Sequence, residues 1–183
     1  MRFHWFALVL VLCAIPLVSP AGEKAENPFK KAKIGDYVAY KVTTSANGKE
    51  VEQSMKKTVT AKNEKELTMQ TAVTTGDKTV NDKDTKIDLT KPYDLGADIT
   101  AAIKKENWKK TGDGKEKVKV GDKTYDCTWF SGKGVVEVLG DKIDSEIKIW
   151  VNKSVPLGGM VKMETKSGPT SIRMEVTGFG SAK

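Results

Sequence analysis

Histidine is almost missing from this sequence of 183 residues, since the single one is His4. From Trp5 onward there is no imidazole to activate a serine or cysteine nucleophile, to act as a general acid or base, or to bind a metal ion. This absence excludes Ser-His-Asp and Cys-His enzymes and every histidine metal site. We predict that the protein is not an enzyme and has neither a cofactor nor a metal site.

Cysteine and arginine are also scarce. Cys127 is the only cysteine after residue 21, so the processed chain cannot form an intrachain disulfide. Arg173 is the only arginine in the same part of the chain, so the positive charge comes from lysines mixed with acidic residues. Nucleic-acid recognition favours the planar guanidinium of arginine. We therefore predict no nucleic-acid partner, while weak attraction to an anionic surface stays open.

Residues 1–21 have the organisation of a secretory signal peptide. Arg2 provides a basic start, an apolar run extends from Phe6 to Val18, and Ser19 and Ala21 are the small residues of a cleavage site. The run is shorter than a membrane span of about 20 residues. We predict cleavage after Ala21, export to the periplasm or the medium, and no integral membrane span after cleavage. An uncleaved anchor is the alternative; a lipid anchor at Cys13 is disfavoured because Leu12 stands where a small residue is needed.

The rest of the chain is predicted to consist of a flexible lead-in, residues 22–33, and one β-rich domain, residues 34–183. Apolar residues alternate with polar ones, as in Val38-Ala39-Tyr40-Lys41-Val42. Such alternation between turn residues is typical of antiparallel strands with one buried face. The turns are predicted at Asn47-Gly48, Gly76-Asp77, Gly121-Asp122, Val155 to Gly159 and Gly168-Pro169.

One stretch departs from the alternation. Leu95, Ile99, Ala102 and Ile103 have helical spacing, with Asp94 as the candidate N-cap. The predicted fold is therefore mainly β: a single curved antiparallel sheet of about nine strands, an open half-barrel, with one covering helix over Leu95 to Lys105.

Two sequence features resemble ligand sites, but we interpret both as ordinary strand or turn segments. Asp82, Asp84 and Asp88 form a short acidic run, but Lys83 and Lys86 compete for these carboxylates, and the glycine of a calcium loop is missing. The segments Thr111 to Gly114 and Ser131 to Gly134 match no phosphate-binding fingerprint, and we interpret them as turns.

The aromatic residues give one hypothesis about binding. Tyr125, Cys127 and Trp129 share one parity, which places Cys127 on the core face as a buried thiol. Trp150 is out of phase with Ile147 and Ile149, so it lies on the opposite face. There it would be covered by the helix or would line a binding concavity.

Three segments resemble a family. Residues 33–40 (KIGDYVAY), 118–127 (VKVGDKTYDC) and 149–163 (IWVNKSVPLGGMVKM) are similar to the first strand and the paired late strands of exported bacterial proteins. The layout of those proteins is similar to that of lipoprotein-carrier (LolA/LolB-like) half-barrels. The resemblance implies an open curved sheet that holds a lipid or another apolar ligand under helices. This sequence departs from it in predicting one helix instead of several.

The leading functional hypothesis is an exported protein that binds a lipid or another apolar envelope ligand in the concavity of the sheet. The predicted lining is a set of core-face residues: Tyr40, Met55, Met69, Trp129, Ile149 and Met163. The alternative is an envelope module, without a ligand cavity, that binds a protein or a polysaccharide through exposed aromatic residues. A hydrolase based on carboxylates alone would require two acidic side chains that converge in a cleft.

Overall fold

A computed structural model describes residues 27–93, 109–138 and 141–181, with side chains described for all of these except 136–138 and 141. The described part contains a short 3-10 helix, Pro28–Lys31, and ten strands. The strands are β1 (Asp36–Ala46), β2 (Lys49–Lys62), β3 (Glu66–Thr75), β4 (Lys78–Asn81), β5 (Thr85–Asp88), β6 (Lys109–Val120), β7 (Lys123–Val138), β8 (Asp141–Val151), β9 (Met160–Ser167) and β10 (Thr170–Ser181).

All ten strands belong to one antiparallel sheet. Its order is β4-β3-β2-β1-β10-β9-β8-β7-β6, and β5 pairs with β3 beside β4. The first and last strands of the domain, β1 and β10, are neighbours near its centre, and the sheet stays open and curved. The predicted open antiparallel sheet is confirmed, with ten strands where the sequence indicates about nine. The predicted helix from Leu95 to Lys105 lies outside the described residues.

The tight turns lie where the sequence places them. Asn47 and Gly48 both have positive φ, 52° and 75°, as a type I′ hairpin turn between β1 and β2 requires. Gly76, Gly121 and Gly168 each start a two-residue turn with φ near 56°, which glycine adopts without strain. These turns fix the register of their hairpins and therefore the face on which each side chain lies.

One face of the sheet forms the core. The alternating residues Val38, Tyr40 and Val42 are all buried, as their spacing predicts. Val51 and Val80 share the apolar parity of their strands but are 39% and 57% exposed. Both lie close to a hairpin turn, where the strand end has few neighbours to cover it.

The segment before β1 packs onto this core. Phe29, in the 3-10 helix, is fully buried and meets the ring of Tyr93 edge to face at 5.0 Å. The Asn27 side chain accepts a hydrogen bond from the Phe29 amide and donates to the carbonyls of Asp88 and Lys91. The second half of the predicted lead-in is thus anchored to the domain. Residues 1–26, which include the predicted signal peptide, lie outside the described residues.

Across residues 27–93, 109–138 and 141–181, no helix has the length and apolar character that a bilayer span requires.

Cys127 is buried and unpaired, so its predicted burial is confirmed. The predicted core face is wrong, because Phe130 pairs with the core residue Ile149 and Cys127 has the opposite parity on the same strand. Burial raises the pKa of its thiol to about 11, and the nearby carboxylates of Glu116 and Asp126 act in the same direction. The reactive thiolate is therefore scarce at neutral pH.

We expect the native Cys127 thiol to react with an aromatic disulfide reagent at about pH 8 at least roughly 100-fold more slowly than in the denatured chain. The measurement is the rate of thiolate release with and without concentrated guanidinium chloride. Equal rates in the two states would contradict the burial of this thiol.

Candidate functional site

Five of the six predicted lining residues lie together on the core face. Tyr40 pairs with Met55 across β1 and β2, and Ile149 pairs with Met163 across β8 and β9. Met69 pairs with Val59, which is on the same face as Met55. All five side chains are between 0% and 4% exposed, so they are closely packed by the surrounding residues.

Trp129 lies on the opposite face from these five. It pairs with Trp150, whereas its neighbour Phe130 pairs with Ile149. Successive residues of a strand point to opposite faces, so the register puts both tryptophans on the polar face. The sequence showed correctly that Trp150 is out of phase with the isoleucines. It could not show the phase of Trp129, because parity within one strand does not fix that strand's register against another.

The two tryptophans surround one lysine and form what we term the tryptophan cluster: Trp129, Trp150, Lys148 and Glu116. The Lys148 ammonium lies 4.4 Å from the ring centre of Trp129 and 4.5 Å from that of Trp150. Such cation–π contacts contribute about 0.5–2 kcal/mol each. Glu116 pairs with Lys148 at 3.3 Å and accepts a hydrogen bond from the Trp150 indole. That hydrogen bond, followed by the pairing with Lys148, holds the pKa of Glu116 below its usual value.

The cluster explains the glycines of β6. Gly112 and Gly114 lie within a strand, so the turn predicted over Thr111 to Gly114 is wrong, as is the one over Ser131 to Gly134 in β7. A Cβ on Gly114 would lie 2.9 Å from Trp129 Nε1, and one on Gly112 would lie 3.1 Å from the same ring. The indole therefore lies on bare backbone at the edge of the sheet, where glycine allows the closest approach.

Beside the cluster, the polar face carries an open furrow with a volume of about 630 Å³. Two rows of side chains in cross-strand register form its walls. The first row is Ser131, Lys148, Glu164, Arg173 and Thr43, and the second is Lys133, Glu146, Lys166, Ser171, Ser45 and Glu50. Between the rows, the backbone of Gly132, Ile147, Thr165 and Ile172 forms the floor.

The furrow crosses the sheet at right angles to the strands. It extends from Thr111 on β6 to Glu50 on β2. Residues from seven neighbouring strands therefore line this hollow in the polar face. At about 4.8 Å per strand, the distance from β7 to β2 is about 24 Å. None of the six predicted lining residues is among those that line it.

The furrow is lined by hydroxyl groups and by charges of both signs. The walls carry four basic and three acidic side chains. Three serines and two threonines add hydroxyl groups: Thr43, Ser45, Thr111, Ser131 and Ser171. Ile147 contributes floor backbone while its side chain is buried on the core face. Alternation within each strand gives no signal for this furrow, because it does not align polar residues on different strands. Only the register brings them into two continuous rows.

Two carboxylates, Glu146 and Glu164, lie diagonally across the furrow on adjacent strands. A glycosidase needs such a pair, with one member protonated as the general acid. Lys133 pairs with Glu146 and holds the pKa of this carboxyl below its usual value, and Glu164 pairs with Lys162 at 2.8 Å. The lowered pKa favours the ionised form of Glu146, whereas a general acid requires a raised pKa.

The acidic run after β4 has a structural role. Asp88 accepts hydrogen bonds from the amide and hydroxyl of Thr90 and pairs with Lys91 at 3.0 Å. These contacts lower its pKa to about 2. Within the described ranges, no group of three or more His, Cys, Asp or Glu side chains is placed to hold a metal ion.

No protein-family model matches the sequence, and no curated protein matches it either. Among solved structures, a protein of YmcC-like fold from Bacteroides fragilis NCTC 9343, described as a candidate exported protein, aligns with 92% of this chain and 100% of its own. It has 11% sequence identity and a TM-score of 0.55, so the two share a fold. That fold agrees with the open-sheet layout that the family resemblance implies.

Two further structures align with lower similarity. LprF from Mycobacterium bovis covers 81% of this chain and 87% of its own, with 13% identity and a TM-score of 0.37. A DUF1329 family protein from Desulfovibrio piger ATCC 29098 covers 84% and 88%, with 8% identity and a TM-score of 0.32. Neither score is high enough to support a conclusion about this chain.

We expect Gly114→Ala to lower the free energy of unfolding by about 1–3 kcal/mol, because the new methyl group overlaps the Trp129 ring. Denaturant unfolding followed by tryptophan fluorescence measures the loss. Gly178→Ala is the matched control, since a Cβ there meets nothing within 4 Å. Equal stability of the two variants would show that Trp129 does not lie on β6.

We expect Glu116→Gln to reduce thermal stability at neutral pH and to have less effect as the pH falls below about 4. The folded-state pKa of Glu116 is lowered, so its stabilising effect is present above the unfolded-state pKa of about 4.3 and is lost as the pH falls through the folded value. Melting curves of both proteins between about pH 3 and pH 7 measure this. Glu64→Gln, in the β2–β3 turn, is the control for the loss of an exposed charge. If the difference in melting temperature between Glu116→Gln and the unmodified protein did not change with pH, the result would argue against the ion pair.

Proposed function

We propose that this chain is an exported, non-enzymatic binding protein that holds an extended polysaccharide strand in the furrow. The observation that carries the proposal is the pair of cross-strand rows, which present hydroxyl and charged groups on both sides of a hollow about 24 Å long. A ligand with a repeating chain of hydroxyl groups can form hydrogen bonds along such a hollow at successive strands.

The composition of the walls favours a polysaccharide over a peptide. Protein partners are recognised mainly through buried aromatic or aliphatic anchors, or through pairing with a free strand edge. The described walls of the furrow carry neither. Among the described lining residues, the apolar side chains are those of Ile147 and Ile172, and both residues belong to the floor. Protein binding is therefore an outcome to be tested and not the proposal.

The electrostatics support binding without hydrolysis. Glu146 and Glu164, the two carboxylates that lie diagonally across the furrow, have lysine partners, so neither is suited to donate a proton to a glycosidic oxygen. The absence of histidine after His4 removes the other common proton donor. Export is supported by the signal-peptide pattern of residues 1–21.

A second candidate, the binding of an apolar or amphipathic ligand on the core face, has its own supporting observation. Met55, Met69 and Met163 lie together there, and methionine side chains adapt readily to different ligands. The buried hydroxyl of Thr165, on the same face, has no hydrogen-bond partner among the described residues. Binding would require the packed residues to separate. Native mass spectrometry, with denaturation to identify any released lipid, tests this candidate.

We expect Ser171→Trp to weaken polysaccharide binding at least about ten-fold, because the indole would fill the middle of the furrow. Affinity electrophoresis against a panel of neutral and acidic soluble polysaccharides measures the effect. Ser54→Trp is the matched control, since Ser54 lies exposed on the same face of β2 but outside the furrow.

Three outcomes would overturn parts of the proposal. Equal loss in both variants would mean that the furrow is not the binding site. If the protein bound peptides but none of the polysaccharides, the protein-binding module would become the better hypothesis. New reducing ends in the mixtures would show hydrolysis and contradict a non-enzymatic role.

A further inference from the structure

Most charged groups along the furrow already have a partner of opposite sign. Glu146 contacts Lys133, Glu164 pairs with Lys162 at 2.8 Å, and Lys148 pairs with Glu116. Lys148 is held further by the two indoles of the tryptophan cluster. These groups are neutralised within the protein and contribute little net attraction to a charged ligand.

Arg173 and Lys166 are less fully paired with carboxylates than the other charged residues of the furrow. The single ion-pair contact of Arg173 in the described chain joins its Nε to Glu175 at 3.8 Å, so its two terminal amino groups are available. For Lys166, no carboxylate in the described ranges lies within ion-pair distance of the ammonium. The Arg173 side chain is 50% exposed, and Lys166 is exposed as well. Both residues line the furrow.

The two cations lie close together at the centre of the furrow. Lys166 pairs with Ser171, two residues before Arg173 on β10, so the two side chains are diagonal neighbours on one face of the β9–β10 hairpin. They stand in opposite walls, with the floor residues Thr165 and Ile172 between them. An anionic group in the furrow could therefore contact both.

We infer that the furrow takes an acidic polysaccharide, and that Arg173 and Lys166 bind its carboxylate groups. This inference rests on the proposed function and specifies its ligand class. Guanidinium binds carboxylate through two parallel hydrogen bonds, which gives both strength and orientation. The remaining hydroxyls of the furrow, such as those of Ser45 and Ser171, are then available for the neutral part of each sugar.

The net charge of the furrow also argues against a nucleic acid. Four basic and three acidic side chains line it, which is a formal excess of one positive charge, whereas a nucleic-acid groove neutralises several phosphates at once. Glu50 lies at the β2 end of the furrow, away from the cationic pair.

The test compares acidic polysaccharides, such as polygalacturonate, alginate and hyaluronan, with the same polymers after reduction of their carboxyl groups. We expect the acidic forms to bind at least about ten-fold more tightly than the reduced forms in calorimetry at low salt, with the difference shrinking as salt is added. Arg173→Gln combined with Lys166→Gln should weaken binding of the acidic forms to the level of the reduced forms.

The matched control is Lys78→Gln combined with Lys83→Gln, which removes two exposed charges near the opposite edge of the sheet. It should change the affinity less than about two-fold, and melting curves of both double variants check that they fold. Equal binding of the acidic and reduced forms would overturn the inference and leave the proposed function standing. Failure of all polymers to bind would overturn both.

Discussion

The register between β7 and β8 is the constraint on which the polar face of this protein depends. The pairing of Trp129 with Trp150 places two indoles around Lys148 and brings Glu116 within reach of both the lysine and an indole N–H. A shift of one residue would move Trp129 to the core face and Phe130 to the polar face. The same shift would break the alignment of Ser131 with Lys148 and of Lys133 with Glu146, on which both walls of the furrow depend.

The two faces of the sheet are stabilised by different interactions. The core face excludes water with aliphatic, methionine and aromatic side chains, and the described part of it is closely packed around Tyr40 and Met163. On the described polar face, the large buried aromatic residue is Trp150, and the ammonium groups of Lys148 and Lys162 lie 4.5 and 5.2 Å from its ring centre. A lysine can cover apolar surface while its ammonium stays hydrated or paired. The polar face can therefore be hollow and open to solvent, whereas the core face cannot open without the loss of apolar contacts.

The edge of the sheet at β6 also depends on this arrangement. Among the described strands, β6 has a single neighbour, β7, so one side of it is an edge. Its five lysines oppose edge-to-edge association with another chain: Lys109, Lys110, Lys115, Lys117 and Lys119. Its two glycines would weaken an isolated strand, but the Trp129 ring that lies on them restores packing there. The furrow therefore lies next to a part of the sheet that the tryptophan cluster packs closely.

The sequence by itself determined the fold class, the positions of five tight turns and the burial of Cys127. Each of these follows from local chemistry: period-2 alternation, glycine or asparagine at positive φ, and a small apolar side chain between two aromatic residues. Only the tertiary structure decided which face Trp129 occupies, that the glycines of β6 lie in a strand, and that distant polar residues such as Lys133 and Ser45 form continuous walls. The physical reason is that hydrogen-bond register between strands is a non-local property. Alternation assigns each residue to one of two faces of its own strand, but the face of one strand is matched to that of the next only when the backbones pair.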